Sequence, residues 1–183
     1  MNNRKIILHP CGYFDSKVLD ILRGDLEQEF NCDSEIAACN IDISSYYNPS
    51  RRQYDANSIM QSISLNADEN VKVLGILRVD IFVPILTFIF GQAELAGSTG
   101  IASLYRLRNE LYGLEINNNL LIERFRKVVL HEAGHLHGLI HCHNQVCIMR
   151  SSTYVEDLDQ KERAFCPVCR TKLNSLLSPL LKS

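Results

Sequence analysis

The chain has 183 residues, 46% of them hydrophobic, which is enough for one well-buried core with a small appendage and too few for two full domains. Nineteen Lys and Arg against twenty-one Asp and Glu give a formal net charge of −2 with no basic run, so nucleic acid is not an expected partner. Ile6 to Leu8 is far too short for the apolar core of a secretion signal, and no run approaches the roughly 18 residues of a membrane span, so a soluble, cytoplasmic monomer without membrane association is expected.

KIILHP, from Lys5 to Pro10, reads as a first strand. It is followed by an amphipathic stretch from Ser16 to Phe30, in which Val18, Leu19, Ile21, Leu22 and Leu26 mark one helix face. A second helical stretch around Arg52 to Ile63 leads into VKVLGILRVDIF, whose β-branched and nearly continuous apolar residues suit a buried central strand. TFIFGQAEL and GIASLYRL read as two further strands around the loop from Ala96 to Gly100, a late hairpin-like pair. The chain is therefore expected to be α/β, with strands and helices alternating around a mixed sheet.

From His131 to Arg150 the chain carries five of its six histidines and two of its seven cysteines. Ile122, Phe125, Val129, Ala133 and Leu136 recur every three or four residues and form the apolar stripe of a helix packed on the sheet. At about 100° per residue, His131 and His135 lie one turn apart and roughly opposite that stripe, facing a common cleft. Glu132 falls between the two faces, placed to reach a water rather than to replace a histidine as ligand. His137 falls on the far flank and is not expected to bind. Gly138 suits the left-handed turn after a helix, which would swing His141 back as a third ligand. Three neutral imidazoles with one position left for water are the catalytic pattern for zinc, with Glu132 as general base.

Cys142, Cys147, Cys166 and Cys169 form a second set, closed by the knuckle CPVC. Four thiolates at this spacing suit a structural zinc; the rival for CPVC alone is a redox pair. Cys11, Cys32 and Cys39 are scattered in the other half, and in a reducing compartment the clustering of the other four favours metal over disulfides.

HEAGHLHGLIHC, then CIM, then CPVC resembles the archaemetzincins, zinc metallopeptidases of the metzincin clan, and YNPSRRQYDA (Tyr47 to Ala56) and FIFGQAELAG (Phe88 to Gly97) are similar to further segments of that family. The resemblance implies a single metzincin-like domain over residues 1–183, with an active-site helix and a C-terminal four-cysteine zinc knuckle within 142–169. It also implies two zinc ions: a catalytic one on His131, His135 and His141, with Glu132 as base, and a structural one on Cys142, Cys147, Cys166 and Cys169. Met149 matches the methionine that forms an apolar floor beneath the catalytic metal.

HPCGYFD (His9 to Asp15) resembles the inhibitory thiol of a pro-segment, but Cys11 ends an expected core strand, so no such role is expected. Tyr154 is expected to be a surface or packing tyrosine. The expected activity is hydrolysis of peptide or protein substrates, by internal or amino-terminal cleavage. The alternatives are a non-catalytic zinc-binding interaction protein with an occluded histidine site and a hydrolase of non-peptide amides or esters. Gly100 to Leu107 is a candidate for the edge strand that pairs with substrate, the alternative being an inner strand.

Overall fold

In the computed structural model, residues 4–64 and 71–178 are described. Strand β1 (Lys5–Pro10) leads through the N-cap Asp15, whose side chain accepts from the Lys17 amide, into helix α1 (Ser16–Phe30). Leu19, Leu22, Leu26 and Phe30 of α1 are buried, whereas Ile21, expected on the same face, is exposed. Asn31, with φ of 47°, ends the helix in the left-handed region and turns the chain into β2 (Asp33–Ile36), a short strand that its sequence did not announce.

Strands β3 (Tyr47–Asn48), β4 (Gln53–Asp55) and, after helix α2 (Ala56–Ser64), β6 (Ile81–Phe82) form a small separate sheet. The main sheet runs β2-β1-β5-β8-β7, with β5 (Val71–Leu77) at its centre, β8 (Thr99–Ser103) beside it and β7 (Gly91–Ala93) at the edge. All pairings in it are parallel except β7 with β8, so β7 and β8 are the expected hairpin-like pair. Because β5 is covered on both sides, its apolar residues serve two cores. Leu74 and Ile76 face α1 and the long helix α3 (Asn118–Leu136), while Val73 and Leu77 face α2. Two short helices, α4 (Val155–Gln160) and α5 (Pro167–Leu177), complete the fold, and Ser178 caps the second. No helix among the described residues is long and apolar enough to cross a membrane.

Two expectations are corrected. The segment expected at the edge, Gly100 to Leu107, is an inner strand followed by a short 3-10 turn, because FIFGQAE folds back outside it as β7. Cys11, at the end of β1, and Cys39 form a disulfide, so two of the three scattered cysteines are paired rather than free. Their Cα atoms lie 5.2 Å apart, within ordinary bridging distance, because β1 and the chain leaving β2 run side by side.

Charges fix the angle at which α3 lies. Asp25 of α1, 6% exposed, accepts from both Nε and Nη2 of Arg126 on α3, at 2.7 and 2.8 Å, and from Arg163 at 2.8 Å. Removing the carboxylate would leave Arg126 and Arg163 with the more exposed Glu123 as their remaining shared counter-charge. Asp25→Ala is expected to lower stability by about 3 kcal/mol in urea unfolding, and a change under about 0.5 kcal/mol would show that this cluster does not hold the helices together.

Candidate active site

Helix α3 is capped by Asn117, whose side chain accepts from the Leu120 amide, and carries Phe125, Val128, Val129, Ala133 and Leu136 into the core; Ile122, at the start of the stripe, is half-buried. His131 and His135 project from the other side. His137 forms the C-cap, and Gly138, with φ of 89°, makes the left-handed turn that its position suggested; its amide bonds to the His135 carbonyl, and that of Leu139 to the Gly134 carbonyl. The reversal brings His141 back over the helix. The three candidate ligand nitrogens lie within 4.8 Å of one another, and the three rings are 4.6 to 5.3 Å apart.

Each helical histidine is held from behind. His131 donates from Nδ1 to the carbonyl of Ile148, and His135 donates from Nδ1 to that of Leu139, both at 2.8 Å. A carbonyl can only accept, so the proton sits on Nδ1 and the Nε2 lone pair is left free. The two Nε2 atoms then face each other at 3.0 Å, an arrangement that a cation between them relieves. Burial lowers the pKa of all three imidazoles, that of His131 well below 6.5, so the neutral, ligating form is favoured. A three-imidazole donor set of this kind fits zinc.

Glu132 points into the same cleft and is 6% exposed. Burial pushes its carboxyl up to about 8, with the nearby Lys161 pulling the other way, and burial pushes the Lys161 amine down to about 8. A bound cation would favour the carboxylate further. Two glycines, neither singled out by the sequence, make room here. A Cβ on Gly91 of β7 would lie 2.7 Å from Oε1 of Glu132, so the edge strand passes directly over the carboxylate. A Cβ on Gly134 would lie 2.5 Å from Sδ of Met149, so the methionine seats against the helix backbone between His131 and His135.

Cys142, Cys147, Cys166 and Cys169 converge in the same way, with all four sulfurs within 4.8 Å of one another. Pro167 at the first position of α5 starts the helix directly after Cys166 and brings Cys169 back by one turn. The backbone amide of Cys169 and neighbouring thiols lower Cys166 to about 7, while burial raises Cys169, as expected of four thiols sharing negative charge. Cys142 also donates its amide to the Met149 carbonyl at 2.9 Å, joining the two clusters through backbone.

The cleft in front of the histidines has a volume of about 750 Å³. Leu86, Phe88, Phe90, Val128, Ile140 and Leu158 make its walls apolar, and among the described residues Glu132 supplies its one carboxylate and Lys161 its one amine. Tyr154, on the rim, is 64% exposed.

A family model described as Peptidase family M54 matches residues 16–175. The archaemetzincin of Methanocaldococcus jannaschii is 39% identical over 170 residues, covering 92% of each chain. That of Sulfolobus acidocaldarius is 36% identical over 175 residues, 93% of this chain and 96% of its own. Among solved structures, a zinc-dependent peptidase from Methanocorpusculum labreanum superposes with a TM-score of 0.82 at 28% identity, over 92% of this chain and all of its own. The archaemetzincin of Archaeoglobus fulgidus, crystallised with malonate, superposes at 0.78 with 33% identity, over 92% of this chain and 99% of its own.

His137 lies apart from the cluster, as its phase on the helix required. It stacks on Phe30 at 4.5 Å, donates from Nδ1 to the Ala133 carbonyl, and has no partner at Nε2 among the described residues. Burial lowers its pKa from 6.5 to about 4, so the unfolded chain takes up a proton that the folded one refuses. Its contribution to stability is full above pH 6.5 and is lost as the pH falls towards 4. Between pH 7 and 5, His137→Phe should lose about 2 kcal/mol less stability than the parent, measured by urea unfolding at each pH; equal losses would contradict a buried neutral imidazole.

Proposed function

Since the chain belongs to peptidase family M54, the archaemetzincins, and is a zinc metallopeptidase, we propose that His131, His135 and His141 hold its catalytic zinc and that Glu132 is the general base. The observation that carries this reading is the convergence of the three imidazoles, two of them with Nδ1 tied to carbonyls and Nε2 turned inward, beside a buried carboxylate. Bound there, zinc supplies Lewis-acid activation of a water and of the substrate carbonyl. Glu132 takes the proton of the attacking water and passes it to the leaving amine, within a cleft whose apolar walls exclude bulk solvent.

The substrate is a peptide or protein held in extended form along β7. In the antiparallel pair with β8, Phe90 accepts from Ser103 and Glu94 donates to Thr99, so by alternation Gly91 and Ala93 turn their amides and carbonyls outward. An added strand would pair there and pass over Glu132, and apolar side chains would suit the walls. Cys142, Cys147, Cys166 and Cys169 hold a second zinc with all four positions filled by protein, which makes that ion structural. An exposed His141 and an open cleft support a reachable site over an occluded, non-catalytic one.

Glu132→Gln keeps the shape of the cleft and removes the base. Its zinc content should equal the parent's, while turnover of an unstructured peptide library falls by about 10² to 10⁴-fold. Loss of the histidine-bound metal would make Glu132 a ligand, and unchanged turnover would require another base.

A further inference from the structure

Lys161, at the C-cap of α4, belongs to neither ligand set, yet it is 4% exposed and lines the cleft. Among the described residues no carboxylate lies within ion-pair distance of its amine. A buried amine without such a partner is costly unless its protons are used. They are directed at one short turn: Nζ donates to the carbonyls of Ile148, at 3.4 Å, and of Arg150. That turn is closed by the Arg150 amide on the Cys147 carbonyl, and it contains Met149.

We infer that Lys161 is a positioning residue, whose amine braces the turn from Cys147 to Arg150 so that the Ile148 carbonyl stays aimed at Nδ1 of His131. Three consecutive carbonyls are then held. That of Ile148 takes His131 on one lone pair and Lys161 on the other, that of Met149 takes the Cys142 amide, and that of Arg150 takes Lys161. Without the amine, the carbonyls of Ile148 and Arg150 lose a donor in a place that water reaches poorly, and the turn is free to rotate. His131 then loses its fixed tautomer and direction, and Met149 loses its seat against Gly134. A partner held behind a ligating histidine is usually worth about 10- to 100-fold in metal affinity.

This inference rests on the zinc reading only for its effect on affinity, and the test separates the two. Lys161→Met removes the donor while keeping side-chain length; Lys161→Gln keeps an N–H donor on a shorter arm. With zinc on the cysteines and the histidine site emptied, the parent should show a slowly exchanging His131 Nδ1 ring proton by NMR. Lys161→Met should lose that proton to exchange and Lys161→Gln should keep part of it. On reloading, Lys161→Met should bind zinc at the histidines about 10- to 100-fold more weakly than the parent, with kcat lowered more than KM. A parent that takes up no zinc there would refute the zinc reading, while the ring-proton comparison would still decide the brace. A Lys161→Met protein with the ring proton retained, or with zinc affinity within twofold of the parent's, would overturn it. A second measurement on the unaltered protein covers a variant that does not fold. Under reductive methylation Lys161 should react at least about tenfold more slowly than the exposed Lys17, because its amine is engaged and enclosed, and equal rates would overturn the brace.

Discussion

The hydrogen bond from Nδ1 of His131 to the Ile148 carbonyl is the contact on which the rest of the site depends. It links the helix that carries two candidate ligands to the turn that carries Met149, and it decides which imidazole nitrogen is free. The same turn is part of the cysteine cluster: Cys147 belongs to it, and the Met149 carbonyl takes the amide of Cys142, the residue directly after His141. Whatever tightens the four cysteines therefore tightens the third histidine as well, through backbone rather than through side-chain contact.

That contact is useful only if α3 lies at one depth and one angle. Its apolar face sets the depth against β5 and β8, and Asp25 with Arg126 sets the angle against α1. At its C-terminal end, Lys72 of β5 donates to the Leu136 carbonyl at 2.6 Å and to that of Gly97 at 2.8 Å, so one amine ties the helix end to the β7–β8 loop. Ala96 of that loop donates its amide to the His135 carbonyl. The edge strand is thereby fixed over Glu132, and the absence of a side chain at Gly91 is what permits the close approach. The burial that raises the Glu132 carboxyl is the cost of this arrangement, offset by the amine of Lys161 and, in the proposed reading, by the metal.

Local pattern made the helix and its ligand face legible in the sequence: the three- and four-residue spacing of Phe125, Val129, Ala133 and Leu136 fixes which way His131 and His135 point, and a glycine at position 138 marks the reversal before His141. The central strand was legible because it is long and continuously apolar. Strands β2, β3, β4 and β6 were not, since each has four residues or fewer and exists through its partner rather than its own composition. The pairing of Cys11 with Cys39 across 28 residues, the exchange of edge for inner strand, and the roles of Gly91, Gly134 and Lys161 depend on contacts between distant segments, for which the sequence carries no local signal. Lys161 in particular looks like any other surface lysine until α4 folds it inward.

On the proposed reading, two convergent ligand sets, one of imidazoles and one of thiols, each hold a zinc ion. Anomalous scattering from crystals of the zinc-loaded protein, recorded on both sides of the zinc absorption edge, tests it most directly. Two peaks per chain are expected, one tetrahedrally enclosed by the sulfurs of Cys142, Cys147, Cys166 and Cys169, and one bound by ring nitrogens of His131, His135 and His141 at about 2.0 to 2.1 Å. A single peak at the cysteines, with the histidines empty in the presence of excess zinc, would contradict it.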